Sequence, residues 1–118
     1  MKINKPEIEE WLSRINAEEP LYTVGINVIF DPYNYGDTIM DFVKYAKENN
    51  WINPDYDSIS RGWKKAKDKI VFISQLNQED IFRIIAWHIR GDRFCSGLLA
   101  SAFNDGYIQT ALKRLLEI

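Results

Sequence analysis

Leu76-Asn77-Gln78-Glu79-Asp80-Ile81-Phe82-Arg83-Ile84-Ile85-Ala86-Trp87-His88-Ile89-Arg90-Gly91 decides the fold class, because a helix start, a buried stripe and a stop can all be read from it. Asn77 is a natural N-cap, Asp80 stands at the third helical position facing back to it, and Leu76 can staple onto Ile81. Ile81, Ile84, Ile85, His88 and Ile89 then form one apolar stripe of 3.6-residue period. Gly91, well suited to a left-handed C′ position, is expected to end the helix. Toward the C-terminus, Asp92 is expected to cap a second helix that buries Phe94, Cys95, Leu98, Leu99, Ala102 and Phe103, with Gly106 as its stop. Gly97 and Ser101, four apart on that helix, would let a neighbouring backbone approach. A third helix carries Ile108, Ala111, Leu112, Leu115 and Leu116 on one stripe, with Lys113 and Arg114 at the end that favours cations.

Upstream, Asn4 and Pro6 open a helix that buries Ile8, Trp11, Leu12 and Ile15, with Glu10 and Arg14 paired along it. From Tyr22 to Phe30 the apolar residues alternate, which argues a strand, and Ile70-Val71-Phe72-Ile73 is the only other β-like run that can pair with it. Asp31 to Gly36 has the composition of a turn. Thr38 with Asp41 is expected to cap a helix that runs to Asn49 and buries Ile39, Phe42, Val43 and Ala46, with Asn49, Asn50 and Pro54 ending it. Asp57 or Ser58 is expected to cap one further helix in which Ile59, Trp63, Ala66 and Ile70 share a face. The expected fold is therefore mainly α: five to six short helices around one aromatic-rich core, with at most a two-stranded β element, in a single domain over residues 1–118.

The C-terminal part also carries a pattern. Arg90-x-x-Arg93-Phe94-x-x-Gly97, then Gly106, then Leu112-x-Arg114-Leu115, resembles the signature of an uncharacterised family of small bacterial and phage-borne domains of unknown function. The likeness extends upstream through Asn50-Trp51-Ile52 and Phe42-Val43 to about Pro32-Tyr33. It departs where a paired-Trp segment is expected, since only Trp63 stands in Tyr56 to Trp63. The resemblance implies a fold and brings no activity with it.

Composition narrows the function classes. With 46% hydrophobic and 27% charged residues the chain has ordinary globular usage, far from that of a disordered chain. No run reaches the ~18 apolar residues of a membrane span, and Met1 to Pro6 lacks the apolar core of a signal peptide, so a cytoplasmic protein is expected. The single cysteine, Cys95, excludes an internal disulfide or a cysteine-based zinc site. Charge is uneven: residues 1–59 hold five Lys/Arg against eleven Asp/Glu, whereas residues 60–118 hold ten against six. This asymmetry suits two halves that fold against each other, and more sharply a basic face for an anionic partner.

Catalysis finds little support. His88 lies on the buried stripe of its helix, where a hydrogen-bonded core histidine is the simpler explanation than a general base. Cys95 is also placed on an apolar face, where thiols are inert. Asn53-x-Asp55-x-Asp57 starts like a calcium loop, but Ser58 and Lys64 occupy the positions that need Gly and Glu. No catalytic residue, metal site or cofactor is expected. Two clusters remain as candidate binding surfaces. Arg83, Trp87 and Arg90 share one helical stripe with Arg93 just beyond, a set able to grip a carboxylate or phosphate or to fix a helix junction. Arg61, Lys64 and Lys65 surround Trp63, as in proteins that follow a phosphate backbone. The expected role is a non-catalytic binding or accessory domain whose partner is another protein or a second copy of the chain. Weak nucleic-acid binding through the basic C-terminal half is the alternative.

Overall fold

The computed structural model describes residues 3–26, 32–52 and 55–118. The expected strand residues Asn27 to Phe30, the turn residue Asp31, the loop residues Asn53 and Pro54, and Met1 and Lys2 lie outside them. Among the described residues the chain forms seven α-helices, one 3-10 turn and a two-stranded antiparallel sheet. The mainly α class with an aromatic-rich core is the one that periodicity gives.

Helix α1 (Lys5–Ala17) starts where Asn4 accepts the Glu7 N–H, with Pro6 in the first turn, and buries Ile8, Trp11 and Ile15. Arg14 reaches across to Asp41 at 2.8 Å rather than along its own helix to Glu10. Strand β1 (Tyr22–Val24) pairs with β2 (Tyr33–Tyr35), Tyr22 opposite Tyr35 and Val24 opposite Tyr33. The strand partner is thus the segment expected to be a turn, and Ile70–Ile73 is helical instead. A four-residue apolar run carries no period of its own, so its neighbours decide.

Helix α2 (Asp37–Glu48) begins two residues earlier than expected and is not capped by Thr38, which is buried inside its first turn. Its Thr38 N–H donates to the Glu18 carboxylate at 3.2 Å, a cap delivered by the residue that ends α1. Ile39, Phe42 and Ala46 are fully buried. Beyond α2, Asn50 takes a left-handed conformation (φ 59°), which turns the chain so that the Trp51 N–H reaches the Ala46 carbonyl. Trp51 is thereby folded into the core against Phe42, Tyr45 and Phe82.

The helix expected from Asp57 to Ile70 is two helices. A 3-10 turn (Tyr56–Ile59) runs into α3 (Ser60–Lys65), and neither Asp57 nor Ser58 caps it by a side chain. The break falls at Asp68, whose carboxylate accepts the Val71 N–H and starts α4 (Lys69–Ser74). Lys69 Nζ donates to the Trp63 and Ala66 carbonyls, closing the end of α3. Ile59 and Trp63 stay buried, whereas Ile70 is exposed.

Helix α5 (Gln78–Gly91) begins as expected, with Asn77 accepting the Asp80 N–H at 2.8 Å. It ends differently. Gly91 is the last helical residue and is not left-handed; an added Cβ there would lie 2.6 Å from a Leu98 methyl. A run of turns follows, in which the Phe94 and Cys95 N–H groups both return to the Gly91 carbonyl. Helix α6 (Leu98–Asn104) starts five residues later than expected, so Phe94 and Cys95, expected on a buried face, are exposed. Helix α7 (Tyr107–Glu117) follows Gly106 and buries Ile108, Ala111, Leu112 and Leu115. Arg114 Nε donates to the Leu76 carbonyl and ties α7 to the entrance of α5.

Gly97 is not inside a helix. It precedes α6 at φ 89°, and an added Cβ would run into the Tyr33 ring, so the close neighbour is a side chain of β2 and not a backbone. Gly106 has a similar φ of 80° with nothing within 4 Å. The pair separates strain from contact. Gly106→Ala should cost about 1–2 kcal/mol from left-handed strain alone. Gly97→Ala should cost a further ~1–2 kcal/mol for displacing Tyr33. Urea unfolding of both variants measures the difference, and equal costs would rule out the contact.

Candidate binding groove

The last turn of α5, the turn that follows it and the outer face of α2 enclose a groove of about 580 Å³. Val43 of α2, Ile52 and Ile89 of α5 supply its apolar floor, backed by the buried Ile39 of α2 and Leu99 of α6. Helix α2 contributes to both the core and the groove because its apolar residues span more than one stripe: Phe42 and Ala46 face inward while Met40 stands 60% exposed.

The groove's wall is set by Asp92. Its carboxylate accepts the Tyr35 hydroxyl, 2.9 Å from each oxygen, and the Leu99 N–H at 3.0 Å. Asp92 is not the N-cap expected of it, a position that falls to Gly97; its carboxylate instead takes the Leu99 amide of α6 from seven residues away. Its two partners also fix in place the only carboxylate among the described residues that line the groove.

Three cations stand at the groove. Arg90 lies over the Tyr56 ring, 5.3 Å from its centre, which holds the guanidinium in a fixed direction at a gain of about 0.5–1 kcal/mol. Arg93 sits in the turn and Lys47 on the last turn of α2. Both arginines are exposed, and Phe94 beside them is 85% exposed.

The other candidate residues lie elsewhere. Arg83 is bonded to Asp80 at 2.7 Å and flanked by Glu79 and Asp55, each at 3.7 Å. The Asp80 hydrogen bond holds its guanidinium more firmly charged than usual, against burial that works the other way. Trp87 is half-buried against Trp63 and His88. The stripe of Arg83, Trp87 and Arg90 is therefore divided, and only its last member joins Arg93 in the groove. Arg61, Lys64 and Lys65 are exposed on α3 and do not line the groove. Of the motif residues, Gly97, Gly106, Leu112, Arg114 and Leu115 serve the fold in ways already described. Phe94 has no packing role there.

Sequence reasoning missed Lys47, Tyr56, Met40 and Tyr35. Met40 did leave a signal, an apolar residue beside the main stripe of an otherwise amphipathic helix. Tyr35 and Tyr56 left none, because both reach the groove through long-range packing.

His88 is closed into a box made by Trp63, Trp87 and Tyr107, and is only 2% exposed. Its Nδ1 lies 2.8 Å from the Ile84 carbonyl, and since a carbonyl only accepts, Nδ1 carries the hydrogen. Cys95 is exposed on the turn after α5, outside that box. Among the described residues no group of three His, Cys, Asp or Glu is placed to hold a metal, and no helix is long and apolar enough to cross a membrane.

The profile of a family described as a family of unknown function (DUF6508) matches residues 7–118. The chain belongs to that family. Neither a curated protein nor a solved structure matches it. The DUF6508 match spans every described helix from the first turn of α1 to the end of α7, so the groove's described lining lies within the family's extent.

Burial pulls the His88 imidazole down to about 4, helped by Lys69 and opposed by the Ile84 carbonyl. In the unfolded chain the same group titrates near 6.5. Between those two values the unfolded chain holds the extra proton, so stability is full above pH 6.5 and falls as pH drops toward 4, by about 3 kcal/mol. His88 is the only histidine, so an NMR titration of its ring proton needs no assignment. A midpoint near 4 is expected; a midpoint in the ordinary histidine range would show the box to be open to water.

Proposed function

We propose that this chain is a non-catalytic binding or accessory domain that acts in the cytoplasm through protein–protein contacts, with the groove between α2, α5 and α6 as its contact surface. The observation that carries this reading is the continuation of the apolar floor onto Phe94 and Met40, two large exposed side chains that the fold does not use. Contiguous exposed apolar surface on a small domain marks a site of interaction. Aromatic and arginine side chains of the kind gathered here, Phe94 with Arg90 and Arg93, supply much of the energy of protein interfaces. Some of the chain's sixteen aromatics remain outside the core, as expected of a protein with a partner.

The basic residues of α3 do not strengthen the nucleic-acid alternative. Arg61, Lys64 and Lys65 are exposed, but the aromatic they surround, Trp63, is buried and offers no face to a base. No complex with single-stranded DNA or RNA is expected at physiological salt. A complex whose affinity falls with a log–log salt slope of about −0.7 per phosphate contact, and which Lys64→Glu with Lys65→Glu abolishes, would reverse the preference.

The reading is tested by purifying the tagged full chain from its native cell beside a Phe94→Ser, Met40→Ser variant. Both positions are exposed, so circular dichroism should match. A partner that is identified by mass spectrometry, binds again as a purified protein, and is lost by the variant is the expected result. Equal retention by both proteins would remove the groove from consideration.

A further inference from the structure

We infer that the groove takes an acidic amphipathic segment of a partner protein, its apolar side chains seated on the floor and its Asp or Glu residues meeting Arg90, Arg93 and Lys47. This rests on the reading of the groove as a protein contact surface and adds the chemistry of what enters it. Charge complementarity carries the inference. Among the described residues the groove is lined by three cations and one carboxylate, Asp92, which is held from within by the Tyr35 hydroxyl and the Leu99 N–H. Those neutral donors fix Asp92 in place without cancelling its charge, so three cations against one carboxylate still leave an excess of positive charge at Arg90, Arg93 and Lys47. Arg90 is held over Tyr56, so less ordering is needed when it binds a carboxylate.

Two other occupants fit less well. A nucleic-acid strand would find a mostly aliphatic lining in which Arg90 already covers Tyr56, and Phe94 is the one exposed ring among the described residues, where successive bases need successive aromatic faces. A second copy of the chain, related by a two-fold axis through the groove, would set Arg90, Arg93 and Lys47 against their own equivalents, and like charges brought together across an interface oppose it. An acidic segment lying between α2 and the end of α5 covers the apolar shelf and neutralises its edge at once.

The test is a selection of random peptides of about 16 residues, some four helical turns, on the immobilised full chain, followed by fluorescence anisotropy with the peptides recovered. Expected are sequences rich in Asp and Glu beside Leu, Ile, Phe or Met, whose affinity falls about tenfold or more in an Arg90→Glu, Arg93→Glu variant. Lys47→Glu provides a second charge reversal on a different element, should the double variant not fold. Recovery of neutral or basic peptides, affinity indifferent to these reversals, or tighter binding of oligo-dT or a fatty acid than of any peptide would each overturn the inference. If acidic peptides fail while a cellular partner still depends on Phe94 and Met40, only this inference falls. If that partner too is indifferent to the Phe94→Ser, Met40→Ser change, the reading beneath it falls as well.

Discussion

Asp92 accepts one hydrogen bond from a tyrosine 57 residues before it and one from a backbone amide seven residues after it. Those two bonds join β2, the end of α5 and the start of α6. Between Gly91 and Leu98 the chain is a run of turns in which the N–H groups of Asp92 to Cys95 return to carbonyls at the end of α5, and α6 has no side chain at its own N-cap because that position is Gly97. The Asp92 carboxylate fills that gap, and each bond of a charged group to a neutral partner contributes about 1.5–3 kcal/mol. Tyr35 then fixes the sheet against the helices, and Tyr33, two residues away on β2, occupies the space that Gly97 leaves open. The turn is held in a shape that directs Arg93 and Phe94 outward. The groove is a consequence of that shape.

The rest of the molecule supplies a rigid base. Phe42 meets Trp11, Trp51 and Phe103 edge-on, at ring separations of 5.5 to 6.2 Å, contacts worth ~0.5–1.5 kcal/mol each beyond the area they bury. A second aromatic group surrounds His88 and joins α3, α5 and α7 through Trp63, Trp87 and Tyr107. Three arginines are spent on structure: Arg14 on Asp41 across α1 and α2, Arg83 among three carboxylates, and Arg114 on the Leu76 carbonyl. Arg90 and Arg93 have no such acidic partners among the described residues, which leaves them available at the groove.

What could be read in advance was whatever is local. The starts of α1 and α5 follow from Asn4 and Asn77, each bonding an amide three residues on, and the stripes of α1, α2, α5 and α7 follow from spacing alone. What was misread depends on groups distant in sequence. The cap of α2 comes from Glu18, twenty residues back. The pairing of β2 with β1 overrides the turn-like composition of Asp31 to Gly36. Phe94 and Cys95 match the spacing of a buried helical face, but the Gly91 carbonyl takes both of their amides and the helix that would bury them does not form there. The apolar spacing from Ile59 to Ile70 continues across Asp68, so spacing alone merges α3 and α4, and the carboxylate that bonds the Val71 amide separates them. As for the groove, Arg90 and Arg93 were named from sequence, while Lys47, Tyr56 and Met40 join them only through tertiary packing. Self-association, expected from the aromatic content, is less well suited to the groove than an acidic partner because of the charge that gathers there.

If the Asp92 carboxylate holds the turn and the start of α6 in place, the Leu99 amide should report it. Amide hydrogen exchange of the intact chain and of Asp92→Ala compares Leu99 with Leu112, which lies in α7 and has no part in the Asp92 bonds. Loss of a hydrogen bond worth ~1.5–3 kcal/mol should speed exchange at Leu99 by roughly 10- to 150-fold, with Leu112 unchanged. Equal protection of Leu99 in both proteins would show that α6 is set by its own packing, and that the groove does not depend on Asp92.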